Sequence, residues 1–130
     1  MNTTLLRSKY ASDSIETMSP GRMIIALYDR FLLDLDRALN AIAAQDPIGV
    51  HEALVHAQAI VAQLHDSLDV SQWPAAIGLA DIYRFVYGEL VTANVEKRAG
   101  RIESCRSIVT PLRDAWREAA GIVPSGGVVA

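Results

Sequence analysis

Apolar residues recur every three or four positions along most of this chain and nowhere alternate as in a half-buried strand, so the elements they predict are helices. From Pro20, the set Ile24, Leu27, Tyr28, Phe31, Leu35, Leu39 and Ile42 lines one face of a helix ending near Ala44, with Asp29, Asp36, Arg37 and Asn40 opposite. Gln45-Asp46-Pro47 is a turn. Val50, Ala53, Leu54, Ala57, Ile60, Val61, Leu64 and Leu68 then form the seam of a second helix, and a second turn covers Asp69 to Pro74. A third helix is predicted from Ala75 to Lys97. After a break near Ala99-Gly100, Ile102, Cys105, Ile108, Val109, Leu112, Trp116 and Ala119 supply the inward arc of a fourth.

Helices of roughly 20 residues are about 30 Å long, and connections this short force neighbours to run antiparallel. The expected fold is all-α, an up-down-up-down four-helix bundle over residues 19–120. Pro111 falls inside the fourth pattern but off its apolar arc, which predicts an exposed kink rather than a broken helix. Residues 1–18 are mostly polar, with Leu5, Leu6, Tyr10 and Ile15 scattered, and are expected to form a mobile arm. Residues 121–130, with Pro124-Ser125-Gly126-Gly127, are expected to be a disordered tail.

The start of the first helix is the strongest local signal. Ser19 suits the N-cap, and Pro20 falls at the first helical position, where its missing N–H costs nothing. Met18 and Met23 have the spacing of a hydrophobic staple, which sets the angle at which the preceding arm joins the helix. Arg22 stands where a full capping box has Glu or Gln.

Composition narrows the function classes. At 130 residues and 51% apolar content, the chain is long enough for one domain with a real core. Its 12 basic and 15 acidic residues, net −3, include no basic run to make a phosphate stripe, so nucleic acid is not an expected partner. No apolar run reaches the ~18 residues of a membrane span, and the first ten residues lack a signal-peptide core. No membrane partner is expected, and the expected location is the cytosol. A single cysteine, Cys105, forms no internal disulfide and fits a reducing compartment.

Catalytic constellations do not assemble. His51 and His56 are five residues apart, about 140° around a helix, whereas a zinc pair on one helix face needs a separation of four. No Glu-x-x-His pair of the di-iron bundle type occurs. His65 and Asp66 lie near the end of the second helix, where a histidine suits the helix dipole. Cys105 lies mid-arc and is expected to be a buried, inert thiol. Gly-rich phosphate loops are missing, so the chain reads as a non-enzyme with no cofactor or metal.

The third helix carries a surplus. Ile82, Ala93, Val86, Leu79, Leu90, Tyr83, Ala76, Tyr87, Ala80 and Val91 span about 180° of its wheel, against the ~100° stripe of an ordinary amphipathic helix, and Phe85 lies outside even that arc. Such a surface marks a partner site. The alternative for Tyr83 and Tyr87 is a boundary role, rings inward and hydroxyls in water. Asn94, on the same arc, offers an amide either to a bound peptide backbone or to its own bundle.

Three blocks carry a family resemblance. They are Tyr10 followed by E-T-M-S-P-G-R-M-I-I-A-L-Y-D at Glu16 to Asp29, then Leu68-Asp69 with I-G-L-A-D-I-Y-R-F-V-Y-G-E-L-V-T-A-N at Ile77 to Asn94, and L-R-D-A-W at Leu112 to Trp116. In order and spacing the chain resembles FliS, the flagellar export chaperone family that binds flagellin. The resemblance implies an antiparallel four-helix bundle that holds the disordered C-terminal segment of flagellin in hydrophobic grooves. It also implies that the bundle prevents premature polymerisation and delivers the segment for type III export.

On the resemblance and the third-helix arc together, the candidate client contacts are Tyr10, Leu79, Tyr83, Val86, Tyr87, Leu90 and Asn94. Met18, Ser19, Pro20, Met23 and Trp116 take structural roles. The tyrosine matching Tyr10 lies in an arm that covers the client groove in this family, as a gate or as a contact. Further partners the resemblance admits are the export gate and an anti-sigma factor, with the chain a monomer or weak homodimer. Ser71-Gln72-Trp73-Pro74 replaces the family's glycine-rich start to the third helix, and Met18 replaces a small residue. The competing reading is a helical module that homodimerises through its third helix without a flagellar client.

Overall fold

The first turn shows how locally this chain is specified. Gln45 adopts a left-handed φ of 54°, its N–H donates to Ile42 O at 3.0 Å, and the Asp46 N–H donates to Ala41 O at 2.8 Å. This pair of bonds ties off the last carbonyls of the first helix. The Asp46 carboxylate then accepts from Gly49 N at 3.0 Å and caps the next helix, with Pro47 at its first position. A side chain at Gly49 would overlap that carboxylate and reach Ala41 Cβ at 3.2 Å. Asp46→Ala is therefore expected to cost about 1 kcal/mol, measurable as a lowered urea midpoint with an unchanged slope.

The computed structural model describes residues 20–69, 71 and 74–121. Four α-helices make up most of them: α1 (Pro20–Ala43), α2 (Pro47–Asp66), α3 (Ala75–Glu96) and α4 (Ala99–Ala119). Packing joins α1 to α2, α2 to α3, α3 to α4 and α4 to α1, so α1 and α3 face each other diagonally across the core. Side-chain pairs set the directions. Asp34 meets His56 across α1 and α2, while His51 meets Asn94 and His65 meets Arg84 across α2 and α3. Glu89 meets Arg101 across α3 and α4, and Asp29 and Asp36 meet Arg117 and Arg106 across α1 and α4. Low numbers pair with high ones at α2/α3 and α1/α4, so those neighbours are antiparallel, and the short links between the others make them so too. Those that are exposed ion pairs, such as Asp36 with Arg106, add little stability.

The core is built from Tyr28, Phe31 and Leu35 of α1, Leu54 and Leu64 of α2, Val86 and Leu90 of α3, and Ile102 and Cys105 of α4, all essentially fully buried. Among the described residues, one acidic side chain is buried with them. Asp34 is 1% exposed and is held by a hydrogen bond to His56 and by Arg37 at 3.7 Å. Asp34 lies three residues after Phe31 and four before Ala38, on the apolar arc itself.

One boundary differs from the expectation. The break before α4 is at Lys97 and Arg98, not at Ala99-Gly100, which form the first turn of α4. Lys97 takes the left-handed conformation, φ 56°, and its ammonium donates to the Asn94 side-chain oxygen at 2.6 Å, so a lysine does the helix-ending work usually left to glycine. Pro111 is exposed and α4 runs through it.

Pro20 opens α1, and Met23 is half-exposed in its first turn. The proposed cap Ser19, the staple partner Met18, the arm 1–18 and residues 122–130 lie outside the described residues. Among the described residues no helix is long and apolar enough to cross a membrane.

Candidate functional site

α3 divides its apolar residues between two tasks. Ala76, Ala80, Tyr83, Val86, Leu90 and Ala93 are buried, and their spacing of three and four makes them the core seam. Val86 and Leu90 are 0% exposed and Tyr83 is 2% exposed. These three, expected as client contacts, are core side chains, because the centre of an over-wide arc is what the bundle itself consumes. What remains outside is Ile77, Phe85, Tyr87, Val91 and Val95, the last 81% exposed. Two apolar troughs border α3, one with α2 at Tyr83 to Gly88 and one with α4 at the start of the helix, at Ala75 and Leu79.

The α2/α3 trough encloses about 380 Å³, with Val61 and Ala62 from α2 and Tyr83, Tyr87 and Gly88 from α3. One end is bounded by Arg84, which donates to His65 Nε2 at 3.3 Å, with Asp66 beside it. Tyr83 forms the floor, and its hydroxyl shares a 2.5 Å hydrogen bond with that of Tyr28 across the diagonal of the core. The Trp116 indole N–H donates to Tyr28 as well. Burial raises the pKa of both tyrosines, so the pair stays neutral and the floor uncharged.

The α3/α4 trough, about 330 Å³, is lined by Ala75, Leu79, Leu112, Ala115, Trp116 and Ala119. The start of α1 sits at its edge, since a methyl added at Gly21 would touch Ala120 Cβ at 3.8 Å and the Trp116 ring at 4.0 Å. Trp116 packs against the core and also faces this trough.

The expected contact residues are thus distributed unevenly. Tyr87 lies at the α2/α3 trough and Leu79 at the α3/α4 trough. Asn94 is half-buried and occupied at both ends, its amide nitrogen bonded to His51 Nδ1 at 2.9 Å and its oxygen accepting from Lys97 at 2.6 Å. Of the two roles open to it, the geometry is that of service to its own bundle. Tyr10 lies outside the described residues. Val61, Ala62, Leu112 and Ala115 are not among the contacts expected from sequence, which places Val61 and Leu112 only in helix seams, because a wheel of one helix does not reveal a trough that two helices share.

The groups with reactive potential are engaged elsewhere. His51 faces Asn94 of α3 and His56 faces Asp34 of α1, so these two histidines serve opposite sides of α2. The Cys105 thiol is fully buried, 4.0 Å from the Val86 carbonyl. Burial, with a smaller contribution from the Glu89 charge, pushes its pKa up to about 12. Cys105 is therefore expected to resist a thiol reagent at pH 8 and to react only as fast as the bundle opens. Prompt labelling in native buffer would contradict that placement.

The described residues thus present two apolar troughs along α3. The family model described as "Flagellar protein FliS" matches residues 2–123. The flagellar secretion chaperone FliS of Bacillus subtilis (strain 168) is 32% identical over 111 residues, spanning 85% of this chain and 82% of that protein. A match across nearly the whole chain, on the bundle described above, places the protein plainly: it belongs to the FliS family of flagellar proteins.

Proposed function

We propose that this chain is a cytoplasmic flagellar secretion chaperone. It holds the C-terminal segment of flagellin along the two troughs beside α3, keeps it from polymerising, and releases it to type III export. Family membership and the name of the Bacillus relative support the chaperone role. The observation that carries the binding mode is α3, where Ile77, Phe85, Tyr87, Val91 and Val95 stand exposed on a helix that also borders two apolar troughs.

The physics suits such a client. A segment that orders as it binds gives up about 2–5 kcal/mol of the gross interaction, so it needs a long apolar contact rather than one deep pocket. Two troughs and a ridge along a 22-residue helix supply one. Binding, not catalysis, is what this surface does.

Calorimetric titration with a synthetic peptide of about the last 40 residues of the same organism's flagellin tests the reading, that length matching other coupled folding and binding interfaces. One-to-one binding with a negative heat-capacity change is expected. No binding at tens of micromolar, together with a stable dimer in light scattering, would favour the self-associating module instead.

A further inference from the structure

Tyr28 lines neither trough, yet its hydroxyl holds a wall of each. That hydroxyl bonds Tyr83, the floor of the α2/α3 trough, at 2.5 Å. It also accepts from the indole N–H of Trp116, which lines the α3/α4 trough. One fully buried residue of α1 therefore joins a side chain of α3 to one of α4, and each of those two side chains faces a different trough.

The chain of bonds is directional at one end. An indole nitrogen only donates, so Trp116 gives its hydrogen to Tyr28, and a single phenol hydrogen serves the contact between Tyr28 and Tyr83. Among the described residues neither phenol has a further hydrogen-bond partner. A ring that turns away from Tyr28 thus leaves a polar group unpaired in the core, at the full cost of its desolvation. Tyr83 is 2% exposed, whereas Trp116 is half-buried, packed on the core and open to its trough. The freedom in the chain lies at the Trp116 end.

We infer that Tyr28 is a positioning residue that couples the two troughs: an occupant that presses on Tyr83 or on Trp116 fixes the other ring through the shared hydroxyl. This rests on the chaperone reading above, in which one client segment lies along both troughs. The ordering cost of the two rings is met once, by whichever trough fills first, so the second fills more readily. The effect is reciprocal. A segment long enough to reach both troughs is thereby favoured over one that reaches a single trough.

The test uses the two halves of the C-terminal flagellin peptide, each titrated alone and then with the other half at saturation. Backbone amide shifts at Val61 and Ala62, or at Leu112 and Ala115, show which trough a half enters. In the parent chain each half is expected to bind about fivefold or more tightly once the other is bound, within the ordinary range of coupling between sites. The half in the α2/α3 trough is also expected to shift the indole N–H signal of Trp116, which lies outside that trough. Tyr28→Phe keeps the ring, removes both bonds and is expected to abolish the enhancement. Asp46→Ala weakens the bundle at the α1/α2 turn, away from both troughs, and is expected to retain it.

Halves that bind the parent independently, or an enhancement that survives Tyr28→Phe, overturn the coupling and leave the chaperone reading standing. Equal loss in Asp46→Ala overturns the role of Tyr28, since general loosening of the bundle would then explain it. A Trp116 signal that stays still while the α2 and α3 amides move overturns the coupling on the parent chain alone, whatever the fate of the variants. No binding of the whole peptide or of either half to the parent removes the chaperone reading and this inference together.

Discussion

Tyr28→Ala is expected to destabilise the bundle by about 3–5 kcal/mol, the cost of deleting a fully buried aromatic side chain. Tyr28 is 0% exposed, and it is the point where three helices meet. Its ring packs in the core from α1, its hydroxyl bonds Tyr83 of α3 at 2.5 Å, and Trp116 of α4 donates to it. Truncation leaves a cavity and also strips partners from a phenol and an indole N–H in a dry interior. A domain of this size has roughly 5–15 kcal/mol in total, so the variant should be marginal at 37 °C.

Tyr28→Phe separates the two contributions. It keeps the ring and removes only the hydroxyl, so about 1–2 kcal/mol is expected. Urea unfolding followed by circular dichroism measures both variants. Losing less than about 1 kcal/mol on Tyr28→Ala would mean that the diagonal contact does not hold α1 to α3.

The second large effect is on binding. Tyr87→Ala is expected to weaken the flagellin peptide by about 2 kcal/mol, near thirtyfold, because aromatic anchors at the centre of an interface carry most of its energy. Stability should change little, since Tyr87 is 40% exposed and outside the core seam. Asp36→Ala is the control. Asp36 pairs with Arg106 on the α1/α4 side, away from both troughs, and its removal should leave affinity unchanged. Leu90→Ala would be a poor probe of the same surface. Leu90 is fully buried, and a lost core leucine costs about 2–5 kcal/mol in folding, so weakened binding there would report on the bundle.

How much of this was legible in the sequence depends on whether one helix or two decide the feature. The helices themselves were legible, because a seam such as Val50, Leu54, Ala57, Val61 and Leu64 repeats with the helical period and all of it is buried. The Gln45-Asp46-Pro47 turn was legible because cap and proline chemistry act locally.

The α3/α4 boundary was misplaced because alanine and glycine at Ala99-Gly100 look like a stop, while Lys97 takes the left-handed cap by anchoring its own ammonium on Asn94. The surplus apolar face of α3 was visible, but not its division. The wheel shows that the arc is too wide for one seam without saying which edge the neighbours leave free, so Val86 and Leu90 were grouped with Tyr87. Asp34 was overlooked because a carboxylate on an apolar arc is unexpected until His56 of α2 is seen to hold it.

The central claim is that the client occupies the α2/α3 trough, and backbone amide shifts of the isotope-labelled protein during peptide titration test it most directly. The largest changes are expected at Val61, Ala62, Arg84, Tyr87 and Gly88, with smaller ones along Leu79 and Leu112 of the second trough. Saturable binding that leaves those α2 and α3 amides unmoved, with the shifts gathered around Asp36 and Arg106 instead, would contradict it.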